Sequence, residues 1–127
     1  MNQQREGPLR ANAEISDAVV RLLRDYTGRG PTRSRTTINN DSVVVLVGDT
    51  LTRGERRLVE DGKAERVLQL RHDFQLTMRD DLVEAVEGAT ERKVIAFMSQ
   101  NHIDPDLAVE VFVLEPEDRA GKSPRAV

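Results

Sequence analysis

The segment GRGPTRSRTTINNDSVVVLVG, residues 28–48, decides the fold. The glycines and proline that open it end a preceding helix, because none of them continues a helix well. Residues 32–38 are rich in β-branched side chains and predict a strand. Residues 43–47 form a continuous apolar run, typical of a strand that is covered on both faces or lies well inside a sheet. The Asn-Asn-Asp sequence between them is a turn signal, so the segment predicts a helix followed by a β-hairpin.

Helical patterns flank this hairpin on both sides. Before it, apolar side chains at helical spacing predict a helix over residues 12–27, with Asn12 as a candidate N-cap. After it, Thr52 and Glu55 match the capping-box pattern and predict a short helix. A longer helix is predicted for residues 64–87, ended by the glycine that follows. The apolar stripe that is predicted to face the core on this helix consists of Val67, Leu70, Phe74, Met78 and Leu82.

Two further strands complete the pattern. Residues 93–99 form an apolar run, and residues 107–114 alternate between two faces with a period of two. The polar residues 100–106 between them predict a connecting loop. The element order α-ββ-αα-ββ therefore predicts an α+β fold with one four-stranded, mostly antiparallel sheet, made from two hairpins and covered by helices on one face.

The domain organisation is expected to be simple. A chain of 127 residues is typical of one domain, which we place at residues 11–115. Residues 1–10 are polar and contain Gly-Pro, which predicts a flexible N-terminal arm. Residues 116–127 carry mixed charge and two prolines, which predicts a flexible C-terminal tail.

Composition argues against several functional classes. The net charge is −3 and aromatic side chains are few, so we expect no nucleic-acid partner. No apolar run approaches the ~18 residues that span a bilayer, and the N-terminus lacks a signal-peptide pattern. We therefore expect a cytoplasmic protein without direct membrane insertion, which would need a membrane-protein partner to work at a membrane. The chain has no cysteine, and nothing in it indicates a cofactor or a metal ion.

The first candidate ligand-binding group consists of Arg29, Arg33 and Arg35, with no acid among them. Guanidinium groups bind carboxylate or phosphate through two parallel hydrogen bonds, so these residues could form an anion-binding edge. A structural interpretation competes with this one. Arg29 follows a helix C-terminus, where a cation is favoured by the helix dipole, and the other two could be the solvated face of an edge strand.

The second candidate group lies in the predicted loop between the last two strands. Asn101, His102 and Asp104 gather an amide, an imidazole and a carboxylate at a hairpin tip, where ligand contacts are common. A general base at His102 is conceivable. However, one histidine is too few for a typical zinc site, and an Asp before Pro105 is ordinary turn chemistry. We find no pattern of catalytic residues in the chain.

Several segments resemble the MpsC-like family, formerly a domain of unknown function. These segments are GRGP at 28–31, LTRGE at 51–55, TERKV at 90–94 and DPDL at 104–107, within a similarity that covers roughly residues 15–116. The family name describes a component of a Na+-translocating, membrane-potential-generating system. The resemblance implies a small soluble bacterial protein and supplies no catalytic residue. This chain departs from the family pattern in one place, since the pattern has Leu-Thr-Gly before Arg92 where this chain has Ala-Thr-Glu.

These observations lead to one principal functional expectation and two alternatives. The resemblance implies a non-enzymatic accessory or regulatory protein that acts by protein–protein contact. The apolar residues of the two hairpins exceed what one helix layer covers, which predicts a homodimer. The first alternative is a small-anion or nucleotide sensor that uses the three arginines. The second alternative is an enzyme that works from His102, which would need a concave pocket and another titratable group nearby.

Overall fold

The computed structural model describes residues 2–117. Three helices and four strands follow one another in the predicted order. They are α1 (Asn2–Thr27), β1 (Arg33–Asn39), β2 (Ser42–Gly48), α2 (Arg53–Glu60), α3 (Ala64–Thr90), β3 (Val94–His102) and β4 (Leu107–Leu114). The strands form one sheet in the order β1-β2-β4-β3, and every neighbouring pair is antiparallel. The predicted α+β fold class is confirmed.

The first hairpin has the geometry that its sequence predicts. Strands β1 and β2 pair from Arg33 opposite Gly48 to Asn39 opposite Ser42. Asn40 takes a φ of 56° in the two-residue turn, a left-handed conformation that asparagine tolerates. Strand β2 lies between β1 and β4, which explains why its sequence is a continuous apolar run.

The core lies between α1, α3 and one face of the sheet. The helices contribute side chains such as Ile15, Val19 and Leu82, and the strands contribute Val45 and Phe112, all at most 1 % exposed. Burying a side chain of this size stabilises the fold by roughly 1.5–3 kcal/mol. The helix layer is therefore held to this face by apolar burial.

No helix of the described residues 2–117 packs on the opposite face of the sheet. Alternation along the strands places a patch of apolar side chains there, which we call the open face. It consists of Val44, Leu46, Met98, Val109, Val111 and Val113. Leu46 is 39 % exposed and Met98 is 53 % exposed, whereas the valines are half-buried by their neighbours in the sheet. On the edge strand β1, Arg33 and Arg35 point to this side, as the predicted period of two requires.

Three element boundaries differ clearly from the sequence prediction: the start of α1, the end of β3 and the end of α3. Helix α1 begins at Asn2, so Asn12 is not an N-cap and the predicted arm is helical from its second residue. Residues 3–6 (QQRE) are good helix formers, and they extend the helix once its apolar face is docked. Strand β3 extends to His102, because pairing with β4 continues past the apolar run and shortens the predicted loop. Of the predicted tail, residues 118–127 lie outside the described residues.

Helix α3 passes through Gly88 and ends two residues later. Thr90 Oγ1 donates to the carbonyl of Val86 at 2.8 Å, and the backbone N–H of Glu91 donates to the carbonyl of Glu87 at 2.8 Å. Glu91 takes a φ of 57°, the left-handed conformation that glycine usually supplies after a helix. Glu91 is therefore a strained residue at the cap, because a side chain disfavours this conformation.

The core-facing stripe of α3 also differs in its first half. Leu70 is 42 % exposed, and Phe74 is only partly buried. Arg71 and Gln75 occupy the buried positions instead, followed by Met78 and the other apolar residues of the stripe. The helix is therefore turned by about one residue at this end, which places a charged and an amide side chain in the core.

Candidate functional site

Two clefts open at the end of the sheet where β1 begins, β2 ends and the β3–β4 turn lies. The first, the acidic cleft, has a volume of about 570 Å³ and lies between α2 and this turn. Its lining includes Asp49, Arg56, Glu60, Asp104 and Asp106. The second, the arginine cleft, has a volume of about 550 Å³ and lies on the open face. Thr32 and Arg33 line both clefts, so one stretch of chain separates them.

Asp49 organises the acidic cleft. It follows β2 with a φ of 63°, which turns its carboxylate toward the start of β1. Asp49 Oδ2 accepts a hydrogen bond from Thr32 Oγ1 at 3.0 Å, and the carboxylate forms ion pairs with Arg29 and Arg56. The Thr32 hydrogen bond and the two guanidinium groups hold the pKa of Asp49 below its usual range. Arg29 also donates from Nε to the backbone carbonyl of Asp49 at 3.2 Å, so its charge is used within the chain.

Asp106 fixes the floor of the acidic cleft. Its Oδ1 accepts from Thr50 Oγ1 at 2.9 Å, and its Oδ2 accepts from the backbone N–H of Leu51 at 3.0 Å. Its carbonyl accepts from the backbone N–H of Asp49 at 3.1 Å. These bonds join the start of β4 to the segment that leads into α2. The cleft walls are therefore held together by part-buried hydrogen bonds as well as by surface charge.

Among the residues that the structure describes, no acid lines the arginine cleft. Its lining includes Arg33, Arg35, Leu46 and Leu107. Neither arginine has a hydrogen bond or an ion pair among residues 2–117. The Arg33 side chain lies across Gly48, since a Cβ built on Gly48 would stand 3.1 Å from Arg33 Nε. The missing side chain at Gly48 thus lets the guanidinium lie against the sheet, where it could meet an anion.

The structure brings together only some of the residues predicted as ligand-binding. Arg33 and Arg35 share the arginine cleft, and Arg33 and Asp104 share the acidic cleft. Arg29 lies beside them but pairs with Asp49. Asn101 pairs with Ala108 on the helix-facing side of the sheet, away from both clefts.

His102 is exposed and lines neither cleft. Its Nδ1 lies 2.8 Å from the carbonyl oxygen of Pro105, within the same hairpin. The enzyme alternative required this imidazole beside a concave pocket, and the geometry gives it no such support.

Beneath the acidic cleft lies a buried ion pair that sequence reasoning missed. Arg71 Nη2 lies 3.1 Å from Glu55 Oε1, and both side chains are at most 5 % exposed. Arg71 also donates to the carbonyl of Thr50 and, at 3.1 Å, to Thr50 Oγ1. Glu55 completes the predicted capping box, since its Oε1 accepts from the backbone N–H of Thr52 at 2.8 Å. The capping box gave a signal for Glu55, but no local pattern points to Arg71.

Glu110 adds a second carboxylate to this buried region. It is 1 % exposed and faces the helices from the middle of β4. Burial raises the pKa of Glu110 to about 7, although Ser99, Arg71 and Gln75 partly offset this by stabilising the charged form. Within the described residues, no three acidic or histidine side chains are arranged to hold a metal ion.

Comparison with known proteins gives one family. Within residues 2–117, no helix is both long and apolar enough to cross a bilayer. No match to a curated protein or to a solved structure was found. A family model described as "Na+-translocating membrane potential-generating system (MpsC)" matches residues 9–116, which is most of the chain. The resemblance noted in the sequence is thereby confirmed, and the chain belongs to the MpsC family.

Proposed function

We propose that this protein is a non-enzymatic, cytoplasmic accessory component of a Na+-translocating, membrane-potential-generating system that acts by protein–protein contact. Membership of the family suggests the system. The open face supports the mode of action, because it is an apolar sheet surface that no helix of the described chain covers. Such a surface favours association with another protein. The first partner that we propose is a second copy of the chain.

The centre of the open face is Val111. It pairs with Val44 on one side and Met98 on the other, so three apolar side chains lie in a row across the sheet. Arg33 and Arg35 lie at the β1 edge of this face and would stand at the rim of a contact. A charge at Val111 would oppose association without disturbing the helix-facing core. Val111→Lys is therefore the variant of choice.

Sedimentation velocity across a range of concentrations tests the dimer. We expect the wild-type protein to dimerise and Val111→Lys to remain monomeric. Leu76→Lys is the matched control, because Leu76 is 60 % exposed on α3, away from the open face. A wild-type protein that is still monomeric at high micromolar concentration contradicts the dimer, as does equal loss of association in the two variants.

The role in the system needs a separate measurement. In cells that lack the protein, we expect the part of the membrane potential that depends on external Na+ to fall, as reported by a voltage-sensitive dye. Wild-type protein and Leu76→Lys should restore it, whereas Val111→Lys should not. An unchanged potential in cells lacking the protein would refute membership of a potential-generating system.

A second candidate function, the small-anion or nucleotide sensor, is supported by the unpaired Arg33 and Arg35 in an acid-free cleft. Inorganic phosphate, bicarbonate and ADP are suitable probes, and an anion that binds only the folded state raises the melting temperature. We expect this rise to vanish in the Arg33→Ala/Arg35→Ala variant. It should also weaken in Gly48→Ala, in which the new methyl group displaces the Arg33 guanidinium.

The control for the sensor is Arg79→Ala, which removes one positive charge from an exposed site on α3. This variant should retain the full response to the anion. If none of the three probes raises the melting temperature of the wild-type protein, or if Arg79→Ala loses the response equally, the sensor function is excluded for these anions.

A further inference from the structure

The buried charges beneath the acidic cleft do not balance. Glu55, Arg71 and Glu110 are the buried charged residues of the described chain. The one cation is already paired with Glu55 at 3.1 Å. If both carboxylates were ionised, the core would hold an uncompensated negative charge, which is costly in a medium of low polarity. One of the two acids is therefore expected to carry a proton in the resting fold.

The geometry selects Glu110 as the protonated acid. Glu55 has a guanidinium and the backbone N–H of Thr52 as donors, both of which stabilise a carboxylate. Glu110 Oε1 has no hydrogen-bond partner within residues 2–117. Its neighbours across the strands are Val45 on β2 and Ser99 on β3, and neither is titratable.

The other groups that face Glu110 come from the helix layer. Helix α3 contributes Arg71 and the neutral amide of Gln75, and α2 contributes Glu55 through Arg71. Within residues 2–117, Arg71 Nε is also buried without a hydrogen-bond partner. The guanidinium therefore has an unused donor that an ionised Glu110 could attract.

Arg71 also connects this region to the acidic cleft. It donates to Thr50, and Thr50 Oγ1 donates to Asp106, which forms the cleft floor. Through Glu55 it stabilises the capping box at the start of α2. A shift of Arg71 would loosen both attachments together.

We propose that Glu110 is a proton-binding site in the core, and that release of its proton to solvent draws Arg71 away from Glu55 and Thr50. The acidic cleft and the start of α2 then change with pH near neutrality. This inference does not depend on the proposed function, because it concerns only contacts within the chain.

NMR spectroscopy of the wild-type protein tests the inference. The carboxyl carbon of Glu110 reports its own ionisation. The backbone amides of Leu51 and Thr52 report the linked contacts, because they donate to Asp106 and Glu55. From mildly acidic to mildly alkaline pH, we expect the carboxyl carbon and both amides to titrate with one common midpoint, about 7. In Glu110→Gln, the transition of both amides should be absent.

Histidines are the usual source of titration near neutral pH, so they need a control. The His72→Gln/His102→Gln variant removes both exposed imidazoles of the chain and should keep the amide transitions. A Glu110 carbon that titrates at the ordinary value of a carboxyl group overturns the proposal. So do amides that stay constant while Glu110 titrates, and amide transitions that persist in Glu110→Gln. The wild-type titration decides the matter even if Glu110→Gln fails to fold.

Discussion

The pH dependence of stability offers the sharpest quantitative prediction. Burial raises the pKa of Glu110 from 4.5 to about 7 in the folded protein, whereas the unfolded chain keeps the ordinary value. Between these two values the folded chain holds a proton that the unfolded chain has released, so rising pH favours unfolding. Each unit of difference between the two pKa values corresponds to roughly 1.4 kcal/mol. The free energy of unfolding therefore falls by about 3 kcal/mol as the pH rises from 4.5 to about 7.

Glu110→Gln should remove this dependence, because glutamine cannot ionise and has nearly the same shape. The assay is urea denaturation of both proteins at pH about 5 and about 8, which bracket most of the change. We expect the wild-type free energy of unfolding to fall by about 3 kcal/mol more than that of the variant. Other groups that titrate in this range cancel in the comparison.

The outcome that would refute the reasoning is a parallel response of the two proteins. Equal changes between the two pH values would mean that Glu110 ionises in the folded protein much as it does in the unfolded one. A larger loss in Glu110→Gln would be equally damaging, because it would reverse the sign of the linkage.

Three further predictions concern stability measured by urea denaturation. Glu91→Gly should stabilise the protein by up to ~1 kcal/mol, because glycine accepts the left-handed cap at no steric cost, and an unchanged or lower stability would contradict the strain at φ 57°. Thr52→Ala should cost about 1 kcal/mol through loss of the capping box, and no loss would mean that the cap contributes little. Arg71→Met should cost ~3–5 kcal/mol because it leaves Glu55 buried and unpaired, and most of this loss should be recovered in Arg71→Met/Glu55→Met. A double variant as unstable as the single one would show that the loss comes from packing.

The hairpins could be predicted from sequence because their signals are local. Alternation within residues 107–114 and the turn at Asn40 determine strand and register over a few residues. The capping box at Thr52 is likewise a contact within one turn. The end of α3 was predicted wrongly although its contacts are also local. Thr90 and Glu91 donate to carbonyls one turn earlier in the helix, and these bonds continue it past the glycine at 88.

The stripe of α3 shows why the buried site could not be predicted. Leu70 and Phe74 satisfy helical spacing with Val67, but so do Arg71 and Gln75. Hydrophobicity favours the burial of Leu70 and Phe74, whereas the structure buries Arg71 and Gln75. Arg71 is stabilised in the core only because Glu55, from another helix, lies 3.1 Å from its guanidinium. A single-helix pattern cannot contain that information.

The three arginines of the predicted anion-binding edge lie in two different surroundings, which the sequence pattern did not distinguish. Arg29 loses its free charge to Asp49, which is twenty residues away in sequence. The pairing follows from the β1–β2 register, which places the end of β2 beside the start of β1. Arg33 and Arg35 have no charge partner in the described part of the chain, because they point to the open face and away from its helices.

Along the length of the sheet, the core has an apolar part and a polar part. The apolar part stabilises the fold, and the polar part holds the contacts that we propose to change with pH. Toward one end of β4, Phe112 and Leu114 pack against Leu82 and other apolar residues of α3. Toward the clefts, the same strand and the same helix present Glu110 and Arg71. Apolar packing has one best arrangement, whereas we propose that the Arg71 guanidinium has two, which exchange when Glu110 gains or loses its proton. A change in the contacts of Arg71 and Glu110 can therefore alter the clefts, while apolar packing holds the helices on the sheet.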